Sequence, residues 1–393
     1  WPDQNSDLSY FYPTSVMETG YDILFFWVAR MIMMGLENAN EVPFHTVFLH
    51  GLIRDKEGQK MSKTKGNVID PIEAIGKYGT DALRFSLTTG TAPGNDTRLS
   101  DGRLEAGRNF ANKLWNVSRF VAVSLEQGEN LTGWFLDPPR ENREDRWLIS
   151  RLNRVTEAVL DQWNVNQLGE VQQLIHDFIW NEFADWYIEL AKVRLRSDDQ
   201  SPLRVLAHVL DRTLRLLHPF MPFITEEIWQ ALPQRCDDGL APGGKQTITL
   251  SAFPDSEPDW LDEGAVEEMN LVREITTTIR TVRSEWGVPP SQSIPAVVQG
   301  ASRVTEMVIR AHAGHMMRLA RLVSVEFESD MVLSADTVRR IVREFEIHIP
   351  LAGVVDRVKE AARVRRELDK LVKQDDALAS RLANSRSPLP LRG

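Results

Sequence analysis

Between about Arg103 and Leu232 the apolar residues fall at helical rather than strand spacing, and this constrains the fold more than any other feature. Leu148, Leu152, Val155, Val159 and Trp163 follow one another at intervals of four, three, four and four, the stripe of one amphipathic helix. Val171, Ile175, Phe178, Trp186, Leu190 and Val193 trace a second helix. Leu203 to Leu217 supplies a third, stopped by His218-Pro219 and Met221-Pro222. Apolar stripes of this kind are stable only when buried against one another, so a helical bundle is expected over this stretch. Trp147, Trp163, Trp180, Trp186 and Trp229 are read as its core rather than as a stacking platform.

The flanking regions have other rhythms. Thr46 to Ile53 (TVFLHGLI) reads as a buried strand, followed by a polar turn over Arg54 to Gln59. Asp70-Pro71, with Glu73 two residues on, is a helix start: Asp caps, Pro occupies the first turn, and an acid meets the positive end of the dipole. Gly79 ends that helix and Thr80-Asp81 opens another. Over 248–350 strands and helices alternate: ITLSAF, a helix from about Leu261 to Trp286, SIPAVV, a helix near Thr305 to Leu319, SVEFES and EFEIHI. This indicates a small α/β or α+β module. Ala361, Val364, Leu368, Leu371, Asp375, Leu378 and Leu382 then follow a heptad rhythm in a basic stretch. The expected fold class is therefore multidomain, α/β plus all-α, with a partial C-terminal coiled coil.

With 393 residues, two or three domains are expected. No apolar run reaches the ~18 residues of a membrane span, and the richest, Ile23 to Met34, is broken by Arg30. A lone cysteine, Cys236, excludes an internal disulfide framework and a Cys-cluster zinc site, so a cytoplasmic location is expected. The chain opens on Trp1, and the expectation is a segment of a longer protein.

Against a net charge of −10, residues 54–65 carry Arg54, Lys56, Lys60, Lys63 and Lys65 opposed by Asp55 and Glu57, a local excess of three positive charges. Ammonium groups on a loop between a strand and a helix suit an oligophosphate, where lysine acts as a flexible point charge and Ser62 and Thr64 add hydroxyl donors. The spacing of a Walker loop is absent. On charge alone, a solvated surface loop explains the stretch equally well.

The letters themselves are more specific. KMSKT at 60–64 resembles the KMSKS signature of class I aminoacyl-tRNA synthetases. FYPTSVMETGYDILFFWVARMIMMG, VFLHGLIRDKEGQKMSKTKGNVIDP, DALRF and LHPFMPFITEEIWQ all resemble the valyl-tRNA synthetases, in the same order. The resemblance runs from residue 1 to about 382. It implies ATP-dependent activation of valine and its transfer to tRNA(Val), with ATP accompanied by Mg2+, no protein metal site and a monomeric state. Lys60 and Lys63 would hold the phosphates and stabilise the charge that develops on them. Met61, Ser62 and Thr64 would shape the loop, with Thr64 keeping the hydroxyl of the commoner Ser, and His50 and Gly51 precede it as in the family. Thr19, Gly20, Asp22 and Ile23 match the adenylate pocket, Asp22 for a ribose or amino-group contact. Read from the residues alone, Asp22 is also a helix-capping acid and His50 a packed strand-end histidine.

The resemblance further divides the chain into the later part of a Rossmann-type nucleotide-binding domain (1–66), a stem-contact segment (67–104), a helical anticodon-binding domain (105–255), a small α/β module (256–350) and half of a coiled-coil tRNA-binding arm (351–393). NFANKLWN at 109–116 matches a family stretch in which packing outweighs RNA contact. Arg273, Arg280 and Arg283 share one helix face, suited to tRNA phosphates or to a salt-bridged surface. A HIGH-type motif and an editing insertion would lie upstream of Trp1. Two alternatives remain at this point: a free-standing tRNA-binding module, and an isoleucine or leucine ligase of the same subclass.

Overall fold

A computed structural model describes residue 3 and residues 5–128, 140–232, 246–328, 336–354 and 357–385. Trp1, Cys236 and the SPLPLRG tail, which figure in the expectations above, lie outside the described residues. The chain divides into two compact units, residues 1–266 and 267–393.

The first unit begins with α1 (Ser6–Phe11), β1 (Thr14–Gly20), α2 (Ala29–Ala39) and β2 (Phe44–His50). β1 and β2 pair in parallel, with Thr19 opposite Leu49 and Gly20 opposite His50. Parallel neighbours need a crossover, which α2 supplies. A 3₁₀ turn over Tyr21–Ile23 and a π-helical turn over Leu24–Val28 lead into α2. The strand expected over 46–53 is shifted: β2 ends at His50, and Ile53–Arg54 forms the short β3, parallel to β4 (Thr97–Arg98). It is also less buried than expected. Only Phe44 of β2 is enclosed, because β2 has a single strand neighbour among the described residues.

α3 (Pro71–Tyr78) starts as the sequence indicates, with the Asp70 carboxylate accepting from Ile72 N at 2.8 Å. α4 (Thr80–Thr88) follows. The next helices, α5 (Asp101–Glu126), α6 (Arg143–Asn164), α7 (Leu168–Phe178), α8 (Ile188–Leu195), α9 (Pro202–Leu217) and α10 (Pro222–Gln230), form the bundle. Leu148, Leu152, Val155 and Val159 are buried on α6, as are Val171, Ile175, Phe178 and Leu190 on the second predicted helix. That second helix is continuous but not uniform, since a π-helical stretch over Ile179–Tyr187 joins α7 to α8. Asp81 serves a neighbour rather than its own helix: its carboxylate accepts from Phe223 N and Ile224 N (3.3 and 2.7 Å) at the start of α10. Gly107 of α5 is required by close approach, as a Cβ there would lie 2.7 Å from the Ala82 carbonyl oxygen of α4.

ITLSAF is not a strand. Ile248–Leu250 forms a 3₁₀ turn because Thr247 Oγ1 and Ile248 N both donate to the Glu226 carboxylate (3.1 and 3.0 Å), and no strand pairs with it among the described residues.

The division between the units falls within α11 (Glu263–Glu285). The second unit continues with β5 (Ile294–Gln299), α12 (Arg303–Ala311), α13 (Ala313–Ala320), β6 (Leu322–Phe327), β7 (Thr337–Val342) and β8 (Phe345–Pro350). Its mixed sheet has the order β6-β5-β8-β7, with β5 parallel to β6 and antiparallel to β8. β7, absent from the sequence reading, pairs antiparallel with β8. The single helix expected near 305–319 is broken at His312. α14 (Arg357–Ser385) is one long helix, and Leu368, Leu371 and Leu378 on it stand 56–58% exposed. No described element partners these leucines to make a coiled coil.

Candidate active site

The C-terminal ends of β1 and β2 lie side by side, the place where open parallel sheets bind ligands. Thr19 and Gly20 close β1, Asp22 and Ile23 follow in the 3₁₀ turn, and His50 and Gly51 close β2. Thr19 is buried. His50 Nδ1 lies 2.9 Å from the Gly51 carbonyl oxygen, and its Nε2 lies 3.4 Å from Glu18, so the ring stands at the strand end with a partner on each nitrogen.

Gly51 has a clear steric reason. A Cβ there would lie 1.7 Å from the Asn95 carbonyl oxygen, which no side chain could accommodate. The 94–98 segment runs against the chain leaving β2, with Gly94 N donating to Leu49 O at 2.7 Å and Thr97 N to Leu52 O at 3.0 Å. Asp96 locks this approach. It accepts from Leu52 N at 2.8 Å and Tyr21 Oη at 3.2 Å, and pairs with Arg54. These donors, the Leu52 amide first, hold the Asp96 carboxyl below its ordinary range and so keep it ionised.

The lysine stretch follows a tight reversal. Asp55 N donates to Gln59 O at 3.0 Å and Gly58 N to Asp55 O at 2.9 Å, and Arg54 bridges to Lys60 across the turn. Lys60 Nζ then lies 3.7 Å from Asp22 Oδ2. Two residues 38 positions apart, one assigned to the phosphates and one to the adenylate, are thus brought together. Lys63 begins a single 3₁₀ turn, Lys63–Lys65, closed by Lys65 N donating to Ser62 O at 3.1 Å. Ser62 Oγ and Thr64 Oγ1 share a hydrogen bond of 2.6 Å, so the hydroxyl at 64 is used within the loop. Met61 packs on the cluster of Ala74, Tyr78, Ala82, Leu83, Leu99 and Leu104. It fastens the loop to α3 and α4.

Sequence reasoning missed four residues here: Asp96, Tyr21, Asp55 and Asn67. Asp55 is 8% exposed and accepts from Gln59 N at 2.6 Å and Asn67 Nδ2 at 2.7 Å. The Asn67 side chain and the Gln59 amide hold its carboxyl below the ordinary range. The only sequence signal was a Gly-Asn pair closing the loop, which reads as an ordinary turn.

Two of the three arginines of α11 are used within the second unit. Arg283 is 8% exposed, and its guanidinium donates to the carbonyls of Arg321, Pro289 and Gln292 at 3.3, 3.0 and 2.7 Å. Arg280 Nε donates to Leu319 O at 2.9 Å. Both therefore close the second unit around α13, and the expected outward-facing arginine stripe is not formed by these two.

Residues 1–100 match the family model "tRNA synthetases class I (I, L, M and V)", and residues 145–298 match "Anticodon-binding domain of tRNA ligase". The chain is 48% identical over 389 residues to the valine–tRNA ligase of Dehalococcoides mccartyi strain CBDB1, covering 98% of this chain and 43% of that protein. It is 44% identical over 369 residues to the enzyme of the same name from Clostridium tetani, covering 93% of this chain and 40% of that protein. Among solved structures it is similar to Mycobacterium tuberculosis methionyl-tRNA synthetase in complex with methionyl-adenylate, at a TM-score of 0.49 and 22% identity, covering 65% of this chain and 52% of that one. The chain thus spans less than half the length of the valine–tRNA ligases it matches.

Proposed function

The chain belongs to the valine–tRNA ligase family of class I tRNA synthetases, and from that premise we propose that it serves the ATP-dependent activation of valine and its transfer to tRNA(Val). The observation that carries the proposal is the meeting of Lys60 and Asp22 at the ends of two parallel strands, beside His50. A carboxylate oxygen of valine would attack the α-phosphorus of ATP. As that O–P bond forms, the bond to the bridging oxygen breaks and pyrophosphate leaves with the added negative charge. Lys60 and Lys63 stabilise that charge from a loop fixed before the reaction begins. Mg2+ enters with ATP as a counter-ion to its phosphates. Asp22 would take the amino group of valine or a ribose hydroxyl. Thr19, Gly20, Ile23 and Gly51 would form the floor of the adenylate pocket.

The bundle would hold the anticodon end of tRNA, and Arg273 is retained as a candidate phosphate contact. The 3′-terminal hydroxyl of tRNA would then attack the valyl carbonyl, releasing AMP. Pyrophosphate exchange on the full-length protein with a panel of amino acids tests the assignment. Valine-dependent exchange is expected; exchange with isoleucine and not valine would overturn it.

A further inference from the structure

The lysine loop owes its shape to one side chain lying just past it. Asn67 Oδ1 accepts from Ser62 N at 2.9 Å, and Asn67 Nδ2 donates to the Asp55 carboxylate at 2.7 Å and to Lys60 O at 3.3 Å. A carboxamide has one acceptor oxygen and two N–H donors, and here both ends are committed to the loop. The three bonds reach the residue before the loop, its first lysine and its central serine. Asp55 is held in turn by Gln59 N at 2.6 Å and by the reversal at Gly58. The brace is thus continuous from the end of β3 to the start of α3. Between Ser62 and Asn67 the chain makes a single local turn, at Lys63–Lys65.

We infer that Asn67 and Asp55 are positioning residues for the activation step: the Asn67 carboxamide, seated on the buried Asp55, sets the backbone from Lys60 to Ser62 and so aims the lysine ammonium groups at the phosphates. The inference rests on the proposed function above. Preorganised charge acts on a transition state only if its geometry is fixed in advance, and small misplacements distant from the chemistry cost orders of magnitude in rate. Neither residue touches the nucleotide in this assignment, and each acts through the loop.

Asn67→Asp is the decisive variant, because it has the same shape. It removes both donors and sets a second carboxylate against Asp55, where like charges repel. Exchange of the two residues (Asp55→Asn with Asn67→Asp) restores one donor–acceptor pair between positions 55 and 67 while leaving Lys60 O without its donor. Pyrophosphate exchange on the full-length protein should show kcat for Asn67→Asp down by about 10²-fold, the scale of a misaimed catalytic group. The KM for valine and tRNA affinity should be unchanged, and the unfolding midpoint should fall only modestly, by less than would account for the loss of kcat. The exchanged double variant should recover part of the loss, the non-additivity expected of a contacting pair.

Lys60→Ala in the same assay separates this inference from the reading beneath it. If the unaltered protein shows no valine-dependent exchange, or Lys60→Ala loses none, the functional reading fails. If Lys60→Ala is impaired while Asn67→Asp matches the unaltered protein, only the brace fails. A fall for Asn67→Asp matched by equal losses in tRNA affinity and unfolding midpoint would mark a purely structural role and overturn the inference. Asp55→Asn alone provides a milder variant should Asn67→Asp not fold: a selective kcat loss supports the brace and an unchanged kcat refutes it.

Discussion

In the helical bundle Trp147, Leu148 and Trp229 are fully enclosed, whereas on the approach to α2 Phe25, Phe26 and Trp27 stand 77%, 58% and 59% exposed. Charged groups divide in the same way. Within the bundle, Arg194 grips both oxygens of the fully buried Asp145 at 2.6 and 3.0 Å, and Tyr187 Oη donates to the same carboxylate at 2.6 Å. Arg151 makes a bidentate pair with Glu182, both bonds 2.8 Å. At the strand ends, Lys60 and Asp22 meet at 3.7 Å with the lysine largely in solvent. The bundle commits its polar groups to one another. The strand ends leave theirs open to solvent, where a ligand can reach them, and the rigidity they lack in packing comes from Asp96, Asp55 and Asn67.

This contrast predicts that damage in the two regions reads out differently. Asp145→Ala should have the largest effect, lowering unfolding free energy by about 3–5 kcal/mol, since it removes the buried counter-charge of Arg194 and leaves only the more exposed Asp199, at 2.8 Å, to face the guanidinium. Chemical denaturation measures it; a change below about 1 kcal/mol would mean that Arg194 and Tyr187 have other support. Lys60→Ala should reduce pyrophosphate exchange by about 10²–10³-fold, as for loss of one transition-state donor, with stability changed by no more than about 0.5 kcal/mol. A comparable loss of stability would erase the distinction between the regions.

The smallest effect concerns His218, whose ring lies 2.7 Å from Thr225 Oγ1 and 3.1 Å from Thr249 Oγ1. Burial lowers its pKa below the ordinary imidazole value. The unfolded chain therefore takes up a proton first as pH falls, and bundle stability should decline as pH is lowered from about 6.5 toward the depressed folded value. His218→Gln should flatten that slope in denaturation curves taken across the window; an unchanged slope would assign it to another group.

Much of this was legible in the chain itself, because helical period is a local record of which face is apolar. The stripe from Leu148 to Val159, the Asp70-Pro71 cap and the place of the lysine loop between a strand and a helix all follow from neighbours a few residues apart. The misreadings share a cause. ITLSAF has strand composition but found the Glu226 carboxylate instead of a neighbouring strand. Arg280 and Arg283 have the spacing of a phosphate-binding face but lie against the carbonyls of a turn and a helix end. Asn67, at the start of the segment read as a stem contact, instead meets Asp55, twelve positions earlier, at 2.7 Å. The sequence by itself therefore determined most of the helices, their apolar faces and the local excess of positive charge in the lysine stretch. Only the tertiary structure decided which polar groups are consumed in holding the fold and which remain for a ligand, because desolvation and hydrogen-bond pairing depend on segments that local pattern does not bring together.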